Sequence, residues 1–282
     1  MSFVELLAAL EMGLIYSFVS VALVISFRII DYSDLTCDGS FVLGASTSSI
    51  LIFYGFNPWL ALIIAVLSSS VSGLVTSLLQ IKFKISDILS GILVAFMLYS
   101  INLKVLGGYP NISLLNKTTI FTSNNSLLIL IFMVLLILML FYLFLQSDIG
   151  LALRAVGQNK KLAQNLGIVI SNMTILGLML SNGLIGLSGA LFSQHQGFCD
   201  ISLGVGTIII GFAGIVIGEK ILSIKSSLSL VLLGVIGAII YRLVIATALH
   251  VDIFGIETQD LNLITGILVI IFMNLPIRKK HA

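Results

Sequence analysis

Apolar residues run in long blocks along this chain, broken at few places by polar clusters. A membrane-spanning helix needs about 20 mostly apolar residues. Nine stretches approach that length: 5–27, 39–56, 58–81, 86–105, 125–146, 170–193, 203–222, 226–249 and 261–277. The pattern predicts an all-α, polytopic membrane bundle of about nine transmembrane helices, within a range of eight to ten, forming one domain over 1–282.

The polar interruptions are the informative places. The largest is 147–169, between the fifth and sixth apolar blocks, with Arg154, Lys160 and Lys161. Leu162 and Leu166 share one face at i, i+4, with Ala163 and Gly167 beside them. Such a helix suits the groove of another protein; a solvated loop between two spans is the plainer alternative. Gly157 is expected to let the chain turn between two short helical pieces. Arg154 is expected to bond a partner's carboxylate.

A second interruption, Asp31 to Asp38, carries three carboxylates in eight residues. Unpaired carboxylates are costly in hydrocarbon, so this reads as a helix break, with an ordinary connecting loop as the alternative. The helix is expected to restart near Asp38, with that residue as N-cap.

Composition narrows the class. The chain is 59% hydrophobic and 9% charged, with a mean hydropathy of +1.19. Soluble domains carry about 25% charged residues, so this surface is one for lipid. The net charge of +2 adds little, but its placement orients the chain. With 147–169 in the cytoplasm, eleven of fourteen basic residues fall inside: Arg28, Lys82, Lys84, Arg154, Lys160, Lys161, Lys220, Lys225, Arg278, Lys279 and Lys280. Lys104 and Lys117 fall outside, and Arg242 lies within a span. That bias follows the positive-inside rule and puts the amino terminus outside and the carboxyl terminus inside. Met1 to Leu10 lacks a basic opening and a cleavage site, so the first run is expected to stay as a helix. Cys37 and Cys199 are expected on opposite sides, too few for a disulfide framework. The three histidines, at 195, 250 and 281, show no zinc spacing.

Small residues cluster at Gly44–Ser49, Ser68–Gly73 and Gly183–Gly189, and Gly214 and Gly218 form Gly-x-x-x-Gly. Close helix packing is the cheaper reading, with a pathway lining as the alternative. Gly186-Leu-Ser-Gly189 also fits the short pattern of intramembrane serine proteases. That chemistry needs a histidine near Ser188, and His250 stands in the right order. Arg242, mid-span, requires snorkelling, an acid such as Glu11, or a place in a translocation path. Asn182 is a further polar residue within an apolar run. No phosphate-cradling Gly-x-x-x-x-Gly-Lys-Ser/Thr occurs, so no nucleotide or other cofactor is expected on this chain.

The order Gly150, Arg154-Ala155, Gly157, Asn159, Ala163, Gly167-Ile168 resembles the cytoplasmic coupling segment of ATP-binding-cassette importer permeases of the branched-chain amino acid and sugar group. Lys160-Lys161 departs from the usual pattern there. Asp34-Leu-Thr-Cys-Asp38-Gly39-Ser-Phe-Val-Leu-Gly44-Ala45 is similar to the break in that family, nearest to tryptophan- and tyrosine-type permeases. The ending Ile217-Gly-Glu-Lys220 resembles the cytoplasmic end of a family helix. The resemblance implies a plasma-membrane transport subunit rather than an enzyme, carrying aromatic or branched-chain amino acids. It also implies a separate ATPase subunit, an extracellular substrate-binding protein, a second permease copy in a homodimer, and no nucleic acid. Gly150, Arg154, Ala155, Gly157, Asn159, Ala163 and Gly167 would couple to the ATPase. Asp34, Asp38, Gly39, Gly44, Asn182 and Arg242 are the break or pathway residues. A stand-alone secondary transporter is the alternative function.

Overall fold

The computed structural model describes residues 3–122, 125–222, 227–250 and 261–274. Lys225, Asp252, His281 and the basic residues 278–280 lie outside them, as does the side chain of His250. Helix α1 (Phe3–Leu23) continues as a π-helical turn over Val24–Ile29. Then follow α2 (Cys37–Phe53), α3 (Pro58–Phe83), α4 (Asp87–Val105), strand β1 (Asn111–Ser113) and α5 (Ser126–Gln146). Two short helices, α6 (Asp148–Gln158) and α7 (Lys160–Asn165), precede α8 (Ile170–Gln196) and strand β2 (Phe198–Asp200). Helices α9 (Thr207–Ile221), α10 (Ser227–His250) and α11 (Leu261–Asn274) complete the bundle.

Each of the nine apolar stretches is helical among the described residues, but their lengths differ. Six helices are long and apolar enough to cross a membrane: α1 with its π turn, α3, α4, α5, α8 and the segment Ser229–Ala248 of α10. The shortfall at α2 and α9 has a structural cause. At 1.5 Å per residue, the 15 residues of α9 reach only ~22 Å. Both helices begin inside the bundle, where their first turns meet, rather than at its surface.

Helices α1 and α8 form the interior, whereas α4 and α5 present most of their apolar surface outward. Buried residues run almost without interruption from Gly13 to Leu23 of α1. The small residues do what close packing needs. A methyl group added at Gly44 would sit 2.0 Å from the carbonyl oxygen of Gly186, and one at Gly189 would sit 2.0 Å from that of Phe41. Backbone therefore lies on backbone where α2 crosses α8. In the same way, Gly237 of α10 meets the Gly214 carbonyl of α9.

The connection after α4 contains a short strand. Asn111, Ile112 and Ser113 pair antiparallel with Asp200, Cys199 and Phe198. Pairing satisfies backbone groups that an irregular loop would leave to water. Cys199, in the middle of this clasp, is fully buried, and burial pushes its thiol up to about 12.

Candidate coupling and transport site

The interruption at 31–38 is a helix break, and its carboxylates are separately housed. After the π turn, the chain runs without regular structure from Ile30 to Thr36. Asp34 is fully buried. Its Oδ1 accepts the Thr36 backbone N–H at 2.8 Å, and its Oδ2 accepts Asn182 Nδ2 at 2.7 Å. Asn182 Oδ1 in turn accepts the Ser40 hydroxyl at 2.6 Å, and Ser40 Oγ lies 2.7 Å from Ser72 Oγ. Thr36 Oγ1 lies 2.8 Å from Thr76 Oγ1. All of these groups are buried, so the network joins the break to α2, α3 and α8 without a cation. A buried network of this kind is held only while each member keeps its partners.

Asp38 departs from expectation. Helix α2 starts at Cys37 with Thr36 as N-cap, and Asp38 sits in its first turn. The Asp38 carboxylate caps a different helix, accepting the Gly206 and Ile208 backbone N–H groups of α9 at 3.3 and 3.0 Å. Those donors need an acceptor inside the bundle, and a carboxylate also complements the helix dipole. Gly39 packs on Leu98 and Ala95 of α4, and its carbonyl accepts Asn102 Nδ2 at 3.2 Å.

Arg242 does not pair with Glu11. Its guanidinium lies over the Tyr16 ring, 4.2 Å from the centroid, a cation–π contact inside the bundle. Tyr16 stacks on Phe41 at 5.9 Å, and Phe192 meets both rings edge-on. Glu11 instead contacts His195 Nε2 at 2.9 Å.

Ser188 is committed to structure. Its buried hydroxyl donates to the Ile15 carbonyl at 2.7 Å, tying α8 to α1. A nucleophilic serine needs that hydroxyl directed to a base.

The 147–169 segment folds as α6 and α7 set at an angle. Ser147 caps α6 by accepting the Gly150 N–H, and Asn159 caps α7 by accepting the Leu162 N–H at 3.0 Å. Asn159, in extended backbone, makes the turn. Gly157 is therefore no hinge: it lies within α6, where an added methyl would stand 1.8 Å from the Ile29 carbonyl oxygen. Its role is close approach to the end of α1. Gly150 fits the α5–α6 corner just as tightly, against the Phe144 carbonyl. Gly167, at φ +81°, closes α7 in a left-handed conformation that favours glycine, and the following Ile168 N–H bonds back to the Ala163 carbonyl at 3.0 Å.

Arg154 is half-buried. Its Nη2 donates to the Leu145 carbonyl at 2.9 Å, capping the last turn of α5. Leu153, Val156 and Ala163 are buried and Ala155 half-buried, whereas Lys160, Lys161, Leu162 and Leu166 are exposed.

Between α2, α3 and α4 lies a groove of about 580 Å³. Val71, Val75, Met97 and Ile101 line it with the hydroxyl residues Thr47, Ser68 and Ser72. Ser72 connects it to the Asp34 network. The spacing of Ser69, Ser72 and Thr76 at i, i+3, i+7 marks a polar helix face in the sequence; their partners on other helices had no such signal.

Apolar helices arranged in this way, with buried polar breaks and a short helical pair at one end, define a multi-pass membrane transport subunit. Residues 6–273 match the family described as the permease component of branched-chain amino acid transport systems. The chain belongs to that family of ABC transporter permeases. It is 38% identical to a tyrosine transport system permease protein of Clostridioides difficile (strain R20291), over 98% of this chain and 95% of that one. It is 36% identical to an uncharacterized protein of Rickettsia prowazekii (strain Madrid E), over 98% of both. A nucleoside ABC transporter permease of Lactococcus lactis subsp. cremoris (strain MG1363) is 27% identical over 64% of this chain and 65% of that one. Among solved structures, an inward-facing conformation of a metal-chelate type ABC transporter shares the fold. Its TM-score is 0.51 at 18% identity, covering 95% of this chain and 83% of that one. Neither the stand-alone transporter nor the protease is favoured beside this membership.

Proposed function

We propose that this chain is the membrane subunit of an ATP-driven importer of aromatic or branched-chain amino acids. It docks a separate ATPase through α6 and α7. The observation that carries the reading is the α6–α7 pair: Leu162 and Leu166 stand exposed beside Lys160 and Lys161, and Ile149 and Leu151 of α6 are exposed too, while Gly150, Leu153, Val156 and Ala163 hold the pair to the bundle. An apolar pair with flanking charge suits a groove on a soluble partner. The chain contributes no cofactor, ATP being bound by that partner.

Substrate arrives on an extracellular binding protein, and the likeness to a tyrosine permease supports an aromatic amino acid as cargo. A second copy of the chain covers the groove between α2, α3 and α4, where Val71, Met97 and Ile101 are exposed. In this reading the protein lies in the plasma membrane with nine crossings, its amino terminus outside and its carboxyl terminus inside. Arg28, beside the Ile29 that meets Gly157 of α6, and Lys220, next to its partner Glu219, stand at the same end as α6, and basic positions at that end support that sidedness.

The test is co-purification from membranes. Leu162→Asp with Leu166→Asp is expected to remove the ATPase while the permease stays folded; retention of the ATPase at the wild-type ratio would sink the docking reading. Uptake of labelled tyrosine and leucine into proteoliposomes carrying the full complex tests the cargo. Uptake of neither overturns the amino acid assignment.

A further inference from the structure

The segment 24–36 is gripped from five sides. At its start, Arg28 is paired with Glu219 of α9, Nη2 to Oε1 at 2.6 Å. Next, the Ile29 carbonyl receives Gly157 of α6 with no side chain between them. The Ile30 side chain fills the space over Gly177 of α8. Asp31 follows at φ +54°, a left-handed conformation uncommon for a non-glycine residue. Tyr32 Oη lies 3.0 Å from Ser90 Oγ of α4, and Leu35 seats against Gly91. The segment then enters the buried network through Asp34 and Thr36.

Two physical properties make this more than packing. Contact between Gly157 and a carbonyl oxygen offers no rotatable side chain to absorb a displacement, so motion of α6 reaches Ile29 directly. At the far end, Asp34 cannot shift by about an ångström without losing its hydrogen bonds, and a buried carboxylate without partners is strongly disfavoured. A segment pushed at one end and held by an all-or-none network at the other responds by switching between arrangements. The π-helical turn Val24–Ile29 leads into the pushed end, each of its hydrogen-bonded loops holding one residue more than an α-helix, and such turns recur at functional sites.

We propose that residues 24–36 form the internal strut that carries movement of α6 at Gly157 to the Asp34–Asn182 contact, with Asp34 as a positioning residue for the transport step. The inference rests on the docking of an ATPase at α6 and α7. It adds where the motion goes next: into the break between α1 and α2, and through Asn182 into α8.

The chain's two cysteines provide the readout. Cys37 adjoins the break, its thiol donating to the Asp34 carbonyl at 3.4 Å, and is fully buried. Cys199, equally buried within the strand pair, is an internal control. The permease–ATPase complex in nanodiscs is treated with N-ethylmaleimide, either nucleotide-free or trapped with ATP and vanadate, and modification of each cysteine is followed by mass spectrometry. Cys37 is expected to change its labelling rate by about tenfold between the states, while Cys199 stays constant. In Asp34→Asn and Gly157→Ala complexes that retain the ATPase, Cys37 labelling is expected to become independent of nucleotide. If either variant fails to assemble, the wild-type comparison decides alone. Equal Cys37 rates in both wild-type states, or a parallel change at Cys199, overturn the strut. That result is distinct from failure of the docking reading, in which the Leu162→Asp, Leu166→Asp protein would still hold the ATPase.

Discussion

Asp38 Oδ1 accepts the backbone N–H of Ile208 at 3.0 Å, so the first turn of one helix caps the first turn of another 170 positions along the chain. Two helix N-termini, each carrying unsatisfied donors, meet inside the bundle, and one carboxylate answers the donors of α9. This contact explains why α2 and α9 are both short.

Replacing Asp38 by alanine should lower stability by about 1–2 kcal/mol, the usual cost of losing a helix cap. Asp38→Asn keeps an oxygen acceptor but no charge, and should fall between. Thermal unfolding of the detergent-purified protein measures both; an alanine variant melting with the wild type would mean the cap is not needed.

The glycine contacts predict a contrast between two identical changes. Gly44→Ala forces a methyl group to within 2.0 Å of the Gly186 carbonyl and should cost about 1–3 kcal/mol or prevent folding. At Gly266, an added methyl meets nothing within 4 Å, and alanine should be neutral or stabilise by up to ~1 kcal/mol. Expression level and melting midpoint in detergent separate the two; equal behaviour would refute the close α2–α8 crossing.

Arg154 and Lys161 should separate folding from docking. Arg154→Ala removes the donor to Leu145 and should reduce thermal stability as well as ATPase retention, with Arg154→Lys restoring part of both. Lys161→Glu, at an exposed position, should leave stability within about 0.5 kcal/mol of wild type and weaken ATPase retention alone. A Lys161→Glu protein that melts early and keeps its ATPase would reverse the assignment.

Much of this was legible in the sequence because it depends on local pattern. Among the described residues every apolar stretch contains a helix, and the polar breaks at 31–38 and 147–169 stood out because carboxylates and lysines do not sit in hydrocarbon unaided. What escaped depends on partners distant in the chain. Asp38 reads as a cap from its neighbours, and it is one, but for a helix the sequence does not set beside it. Gly157 reads as a turn because glycine permits turns, whereas the structure uses its missing side chain. Arg154 reads as a donor to a partner's carboxylate, and Leu145, nine residues earlier, adds a carbonyl that only the α5–α6 corner brings within its reach. Arg242 needed the Tyr16 ring, and periodicity carries no sign of that.

The bond from Asn182 to Asp34 spans 148 residues, and ribosomes add about 5–20 residues per second. Asp34 therefore leaves the ribosome on the order of ten seconds before its side-chain partner exists. Through that interval its carboxylate must stay in water, at the membrane surface or in the insertion machinery, and the break cannot close early. The order of synthesis thus makes α8 the helix that locks the first half of the protein.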